Sequence, residues 1–346
     1  MMRLLVTGGA GFIGSNFIRY FLNEHAEAFV INVDKLTYAG NLSNLADIQD
    51  NPRYTFHRID ITSAKKMADV FAQGVDAVVN FAAESHVDRS IENASRFIRT
   101  NVAGTQCLLD LARRHEVRRF VQVSTDEVYG SVEGQPSSRE DAPLAPNSPY
   151  AASKASADLL CRACWRTYGF PVIVTRCTNN YGPYQHPEKL IPLMISNAME
   201  DKPLPVYGDG LNVRDWIHVM EHCAALDAVL HHGRPGEVYN IGGGNTRTNL
   251  DIVHEILRLL GKPTSLVQFV KDRPGHDRVY ALNCEKIRQE LAWSPRVSLE
   301  QGLEATVGWY QTHSDWVRAV RSGSYRSYYR KFYEQRELTL GRYSRG

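Results

Sequence analysis

The sequence predicts an α/β chain, with a doubly wound parallel sheet followed by a smaller mixed α/β C-terminal unit. Three observations predict it. Apolar runs of strand length alternate with amphipathic helical stretches through the first half of the chain. A glycine cluster, "TGGAGFIG", directly follows the first apolar run. After about residue 178 the alternation yields to Pro- and Gly-rich stretches such as "YGPYQHPEKLIP" and "DKPLPVYGDG". A length of 346 residues suits one large domain plus a smaller one.

The strand-like runs, in order, are "RLLVTG", "FVINVD", "YTFHRID", "DAVVNFAA", "RFVQVS" and "PVIVTRC". They are apolar almost throughout, as strands covered on both faces must be. Between them, 14–25, 63–73 and 93–115 carry helical periodicity. The expected division is 1–178 for the sheet domain and mainly 179–346 for the second domain. Segments near 211–243 are expected to return to the first, because "EVYNIGGG" and the helix before it, 219–232, suit the sheet. The Tyr- and Arg-rich tail, "SGSYRSYYRKFYEQRELTLGRYSRG", is expected to end in a mobile segment.

Composition narrows the function classes. Hydrophobic residues make up 43% and charged residues 23%, ordinary for a globular protein. A net charge of +2 gives no argument for nucleic acid or for a membrane surface. No run approaches the ~18 apolar residues of a membrane span, and the N-terminus reads as a first strand rather than a signal peptide. The six cysteines are scattered. Cys161 and Cys164 form a C-x-x-C, but inside a helical pattern and without a second pair, so they read as reduced structural thiols in a cytoplasmic protein. The histidines show no metal-ligand spacing, and no metal is expected.

Gly9, Gly11 and Gly14 satisfy G-x-G-x-x-G, and Gly8 adds a fourth glycine. A strand precedes them and a helix follows. Such glycines let the backbone turn tightly and approach a pyrophosphate, while the helix N-terminus offers free N–H groups to it. Asp34 ends the second strand, 20 residues after Gly14. An acid there accepts hydrogen bonds from ribose hydroxyls and repels a 2′-phosphate. A Rossmann-type fold binding NAD rather than NADP follows. Asp60 and Ile61 close strand three near an adenine edge. Phe81, Ala82, Ala83 and Ser85 close strand four, where open α/β sheets place ligands.

Tyr150 and Lys154 are four apart at the start of a helix after Pro149, so they share one face. A nearby ammonium and the cationic nicotinamide ring favour the phenolate over a free tyrosine's pKa of about 10. Such a tyrosine takes a proton from a sugar hydroxyl as hydride leaves the same carbon. Asp126 and Glu127 stand side by side just after the apolar run "RRFVQVS". Two carboxyls in one low-dielectric site resist joint ionisation, so one is pushed towards acid and the other towards base. Which is which belongs to the coupled pair.

The glycine motif, Y-x-x-x-K and an upstream Ser/Thr resemble the extended short-chain dehydrogenase/reductase family. "DKLTYAGNLSNL", "FAAESHVDRSI", "VSTDEVYG", "NNYGPYQHPEKLIP", "VYGDGLNVRDWIHV" and "DRPGHDRVYA" narrow this to its nucleotide-sugar 4,6-dehydratases, with dTDP-glucose as substrate. The resemblance implies a catalytic set of Thr125, Asp126 (acid), Glu127 (base), Tyr150 and Lys154. It adds Gly8, Phe12, Ile13, Lys35, Thr37, Thr100 and Asn180 to the residues around NAD. It places Ser85, Thr125, Asn179, Lys189, Leu190, Pro205, Tyr207, Arg214, Asn249, Asp272, Arg273, His276 and Tyr280 around the nucleotide sugar. It also implies a homodimer through a four-helix bundle made by 93–115 and 150–168. Two enzymatic alternatives stay open: a dehydratase of a CDP-, UDP- or GDP-linked hexose, and a 4-epimerase, which needs neither acid. A cofactor-binding regulator or RNA-binding relative of this fold would lack the Tyr/Lys pair or show a basic face.

Overall fold

Seven strands lie side by side in one all-parallel sheet, in the order Tyr54–Arg58, Phe29–Asp34, Arg3–Thr7, Ala77–Asn80, Arg119–Thr125, Val172–Cys177 and Val238–Ile241. The structure is a computed structural model and describes residues 2–321 except Glu133, Gln135 and Pro136. The Tyr- and Arg-rich tail beyond Arg321 lies outside the described residues. The strands are β1 (Arg3–Thr7), β2 (Phe29–Asp34), β3 (Tyr54–Arg58), β4 (Ala77–Asn80), β5 (Arg119–Thr125), β6 (Val172–Cys177) and, much later in the chain, β10 (Val238–Ile241). The order reverses between β1 and β4. At such a switch point the flanking helices diverge and leave a crevice at the carboxyl ends of the strands.

Both faces of the sheet are covered, which explains the unbroken apolar runs. On one face Leu4, Val6 and Val30 pack with Phe17 and Phe21 of helix Phe12–Glu24, and with Leu226 and Val229 of helix Val219–His232. On the other, Leu5, Ile31 and Phe120 meet Leu108 and Leu109 of helix Thr105–Arg114 and Cys161 of helix Pro149–Tyr168. The doubly wound parallel sheet expected from the sequence is present. Helix Val219–His232 and β10 sit on and in this sheet although they follow residue 178.

The remaining strands are short. They are β7 (Asn179–Tyr181), β8 (Leu204–Tyr207), β9 (Val213–His218), β11 (Thr246–Thr248) and β12 (Val267–Val270). β9 runs between β7 and β11 in a mixed sheet, and β8 pairs with β12. Beneath them Tyr181, Met194, Ile195, Val253, Leu303 and Tyr310 form a separate core.

One expectation needs correction. Residues 93–115 are not a single α-helix. Helix Ala94–Phe97 and helix Thr105–Arg114 are joined by a π-helical stretch, Ile98–Gly104. The cause lies in side-chain anchoring. Asn101 binds the Glu84 backbone from both its oxygen (2.8 Å) and its nitrogen (3.0 Å), and donates to Ser153 Oγ (2.8 Å). Such widened turns re-aim side chains and recur at functional sites. Here the stretch turns Thr100 to the cleft at the strand ends.

Candidate active site

The cleft opens at the carboxyl edge of the sheet, over the switch point. β1 ends at Thr7, and Gly8 adopts φ +71° there. Only glycine suits the position, because a Cβ on Gly8 would stand 2.6 Å from the Ala82 backbone nitrogen. The chain then enters helix Phe12–Glu24 through Gly11, whose own Cβ position meets nothing closer than Gly8 O at 3.2 Å. A bare backbone surface in front of a thirteen-residue helix N-terminus is therefore open to the cleft. It fits a pyrophosphate. Asp34, at the end of β2, is buried and accepts hydrogen bonds from Ala10 N (3.1 Å) and Leu36 N (2.8 Å). Burial raises its pKa against those two donors and Lys35. Its carboxylate keeps lone pairs for ribose hydroxyls.

Of the residues expected around NAD, Gly8, Gly11, Phe12, Ile13, Gly14, Asp34, Lys35, Thr37, Ile61, Phe81, Ala82, Ala83, Ser85, Thr100 and Asn180 line this cleft. Asp60 does not. Its carboxylate turns back onto Thr62 N (3.0 Å) and Thr62 Oγ1 (2.8 Å). Lys35 Nζ lies 3.9 Å from it and donates to Thr100 Oγ1 at 2.9 Å.

The five side chains expected to carry chemistry, Thr125, Asp126, Glu127, Tyr150 and Lys154, meet in the same cleft. Ser148 caps helix Pro149–Tyr168 by accepting from Ala151 N (3.1 Å), with Pro149 pre-set in the first turn. This places Tyr150 in that first turn and Lys154 one turn on. Phe97 holds the Tyr150 ring edge to face at 6.3 Å, with Val87 beside it. Lys154 Nζ is buried and donates to Val123 O (2.6 Å). Burial lowers its pKa, with Asp158 pulling the other way. Thr125 ends β5 and is a hydrogen-bond partner of Tyr150. The protein's own groups do not depress the tyrosine. Burial and then Glu127 hold Tyr150 well above its ordinary pKa, and Thr125 works against them. The protein therefore leaves the phenolate to be favoured by a cation bound beside it.

Asp126 and Glu127 open a short 3-10 turn, Asp126–Tyr129, directly after β5. Asp126 is 4% exposed; its Oδ1 accepts from Thr125 Oγ1 (3.1 Å), and its Oδ2 is buried without a hydrogen-bond partner. Burial, reinforced by Glu127, pushes its pKa up to about 8. Glu127 is raised by burial too, but Arg273, Lys189 and Arg214 all favour its carboxylate. The two carboxyls thus differ in surroundings: three cations favour the carboxylate of Glu127, while Asp126, opposed chiefly by Arg214, is pushed towards its protonated form.

Residues expected on the sugar-nucleotide side are partly gathered. Asn179 and Lys189 line the cleft, and Lys189 Nζ donates to Ser85 O (3.0 Å). Arg273, Arg214, Tyr207, Tyr280, Asp272 and His276 stand beyond the cleft lining. Arg273 lies 3.6 Å from Asp88, which also accepts from Tyr207 OH (3.2 Å). Arg214 is buried, stacks over Tyr280 at 4.3 Å and donates to Asp277 O (2.8 Å). His276 Nδ1 and Asp272 Oδ1 are 2.6 Å apart. Leu190 begins helix Leu190–Met199 after Lys189, and Asn249 begins helix Asn249–Leu260. Pro205 is buried in β8, where it opposes Gln268 of β12.

The sequence reading passed over Glu188, which lines the cleft, is 1% exposed and pairs with Arg89 at 3.3 Å. Arg89 in turn covers the Tyr38 ring at 3.8 Å. The only available signal was Glu188's place in "HPEKLIP" next to Lys189.

Residues 5–306 match the GDP-mannose 4,6 dehydratase family. The dTDP-glucose 4,6-dehydratase of Neisseria meningitidis serogroup B is 52% identical over 348 residues, covering 94% of this chain and 98% of that protein. That of Streptomyces niveus is 54% identical over 326 residues, covering 93% and 96%. The crystal structure of the dTDP-glucose 4,6-dehydratase from Streptomyces venezuelae, solved with NAD bound, superposes with a TM-score of 0.90 at 53% identity, covering 92% of this chain and all of that one. With this likeness along nearly its whole length, the chain belongs to the dTDP-glucose 4,6-dehydratase family, within the extended short-chain dehydrogenases/reductases.

Proposed function

We infer that the chain is an NAD-dependent hydro-lyase that converts dTDP-glucose to dTDP-4-keto-6-deoxyglucose and water. The observation that carries this reading is an unequal pair of acids, Asp126 buried and Glu127 partly buried, in the same cleft as Tyr150, Lys154 and a glycine cradle. A 4-epimerase would need no such pair.

The chemistry explains why the pair is needed. Loss of water from C6 requires an acidic hydrogen at C5, and a glucose has none until C4 is a ketone. NAD, held by the glycine cradle, Asp34 and Lys154, would supply a reversible hydride acceptor for C4 and hydride donor for C6. Tyr150 takes the O4 proton, with Thr125 holding that oxygen and Lys154 holding the nicotinamide ribose. Glu127, its charge favoured by Arg273, Lys189 and Arg214, removes the C5 proton. Asp126 arrives protonated and gives its proton to the departing C6 hydroxyl, which leaves as water. As hydride reaches C6, Glu127 returns the proton to C5. The cycle closes when the proton Tyr150 took from O4 passes, through solvent, to replace the one Asp126 gave to the departing water; atoms then balance, and cofactor and side chains end as they began.

Arg214 and Arg273 are the forked cations for the diphosphate, with Asn179, Lys189, Tyr207, Asn249, Asp272, His276 and Tyr280 around sugar, phosphates and base. A second copy of the chain packs on helix Pro149–Tyr168 and the segment 94–114, whose outer faces carry the exposed Ile98, Leu159 and Tyr168. Among the described residues no helix is long and apolar enough to cross a membrane, and all six cysteines are free thiols. A cytoplasmic setting suits them.

Incubation with a panel of nucleotide glucoses tests the reading. The expected result is a product from dTDP-glucose that absorbs near-ultraviolet light in base, with the UDP-, GDP- and CDP-linked sugars turned over far more slowly. A galactose product without that band would overturn it.

A further inference from the structure

Helix Phe12–Glu24 starts at the glycine cradle and ends, about 20 Å away by its rise per residue, at a second group of polar side chains. His25 is its C-cap. His25 Nε2 lies 2.9 Å from Asp227 Oδ1, and His231 Nδ1 lies 3.1 Å from the same oxygen. Asp227 and His231 are four apart on helix Val219–His232, so both point from one face towards the end of the other helix. The sequence reading looked for Cys/His spacing and missed this Asp-x-x-x-His because its third member is 202 residues away.

We propose that His25, Asp227 and His231 form a binding site for one divalent transition-metal ion, Zn²⁺ in first place. Three arguments support it. The three candidate ligand atoms all lie within 4.8 Å of one another, so side-chain shifts of a few tenths of an ångström would bring all three to about 2.0–2.2 Å from one ion. Two imidazoles and one carboxylate are the borderline donors that zinc prefers over calcium or magnesium. The group is neither sealed nor splayed on the surface: its side chains are 30%, 17% and 28% exposed, and they border a cavity also lined by Tyr20, Glu221, His232 and Trp293. That cavity leaves a fourth position for water. The imidazoles are also supported from behind. Phe21 contacts the His25 ring at 4.5 Å and stacks with His231 at 6.2 Å, and the two imidazoles stack at 4.7 Å. Packing of this kind holds ligand rings in place before the ion arrives. On binding, the ion replaces the protons shared between the imidazoles and Asp227.

The consequence is a clamp. The ion ties the far end of the cofactor-binding helix to the helix that returns from the second half of the chain. It adds stability and leaves the chemistry at the strand ends untouched, so this proposal does not depend on the dehydratase reading.

The test uses the full chain after dialysis against a chelator, titrated calorimetrically with Zn²⁺ and with Co²⁺ at pH 8. One ion per chain is expected, with the melting temperature rising by about 3 °C at a hundredfold excess over Kd. Asp227→Asn and His231→Gln should each weaken binding at least tenfold and abolish the rise in melting temperature. Turnover of dTDP-glucose by the metal-free His231→Gln protein should match that of the metal-free parent. Absence of uptake at micromolar metal, or equal uptake by both variants, would overturn the proposal and leave a His–Asp–His hydrogen-bonded latch.

Discussion

Two sides of the molecule meet at Glu127, and they are built differently. On the sheet side, the chemically active groups stand at a strand end, in the turn that follows it, or in the first two turns of a helix. Asp34 ends β2, Thr125 ends β5, and Tyr150 and Lys154 start the capped helix Pro149–Tyr168. On the opposite side, Arg214, Arg273, Tyr207 and His276 come from short strands and connections, and they are positioned by one another's charge. Tyr207 reaches Asp88 across 119 residues of sequence, and Arg273 reaches the same carboxylate. Burial works against the charge on Arg273, but Asp88 and Glu127 outweigh it and keep the guanidinium firmly protonated. Backbone ladders fix the first side. Coupled side chains fix the second, which should therefore yield more readily when one member changes.

The largest expected effect lies on the sheet side. Tyr150→Phe removes the only proton acceptor proposed for O4, and kcat should fall by about 10³–10⁴-fold, with no reduced cofactor formed on mixing with dTDP-glucose. Rapid-mixing spectroscopy reads both. Next comes a test of rigidity. Arg176 on β6 pairs with Asp158 of the Tyr150 helix at 2.9 Å, and donates to Tyr129 OH (2.8 Å) in the turn that carries both acids. Both partners of the pair are buried. Arg176→Met leaves Asp158 alone in the core and should cost about 3–5 kcal/mol of stability by urea denaturation.

The opposite side should respond through binding rather than chemistry. Arg273→Lys keeps the charge but loses the fork, and KM for dTDP-glucose should rise by about 10–100-fold with a smaller change in kcat. An equal fall in kcat would instead show that Arg273 governs Glu127 more than it grips substrate. The mildest prediction concerns pH. Asp126 acts in its protonated form, and its pKa stands at about 8. As pH rises through that value the acid is lost, so kcat should decline on the alkaline side, by about tenfold per unit well above it. The same shift bears on stability. A carboxyl raised in the folded state favours folding below its ordinary value of 3.8 and loses that contribution as pH climbs to about 8.

The difference between the two sides also decides what the sequence could reveal. Apolar runs and the glycine motif were enough for the sheet, its NAD cradle and the place of Asp34, because strand and helix periodicities are local. Tyr150 and Lys154 follow from a four-residue spacing and a Ser-Pro start. The π-helical stretch at Ile98–Gly104 was not readable, since it depends on Asn101 meeting Glu84 and Ser153 from other elements. Glu188 was missed for the same reason: its partner Arg89 is 99 residues away. That Asp126 and Glu127 divide into acid and base follows from two carboxyls standing side by side, and the resemblance implies which is which; the groups that set them apart were not readable. The difference arises from which cations stand nearest, and those cations come from the loop-built side.

The most direct test of the account is Glu127→Gln mixed with dTDP-glucose in a single turnover, following reduced cofactor and keto product together. Oxidation at C4 relies on Tyr150, so reduced cofactor should form and persist while release of the 4-keto-6-deoxy product slows by at least about 100-fold. Product appearing at close to the parental rate, with no build-up of reduced cofactor, would contradict the division of labour between the two acids.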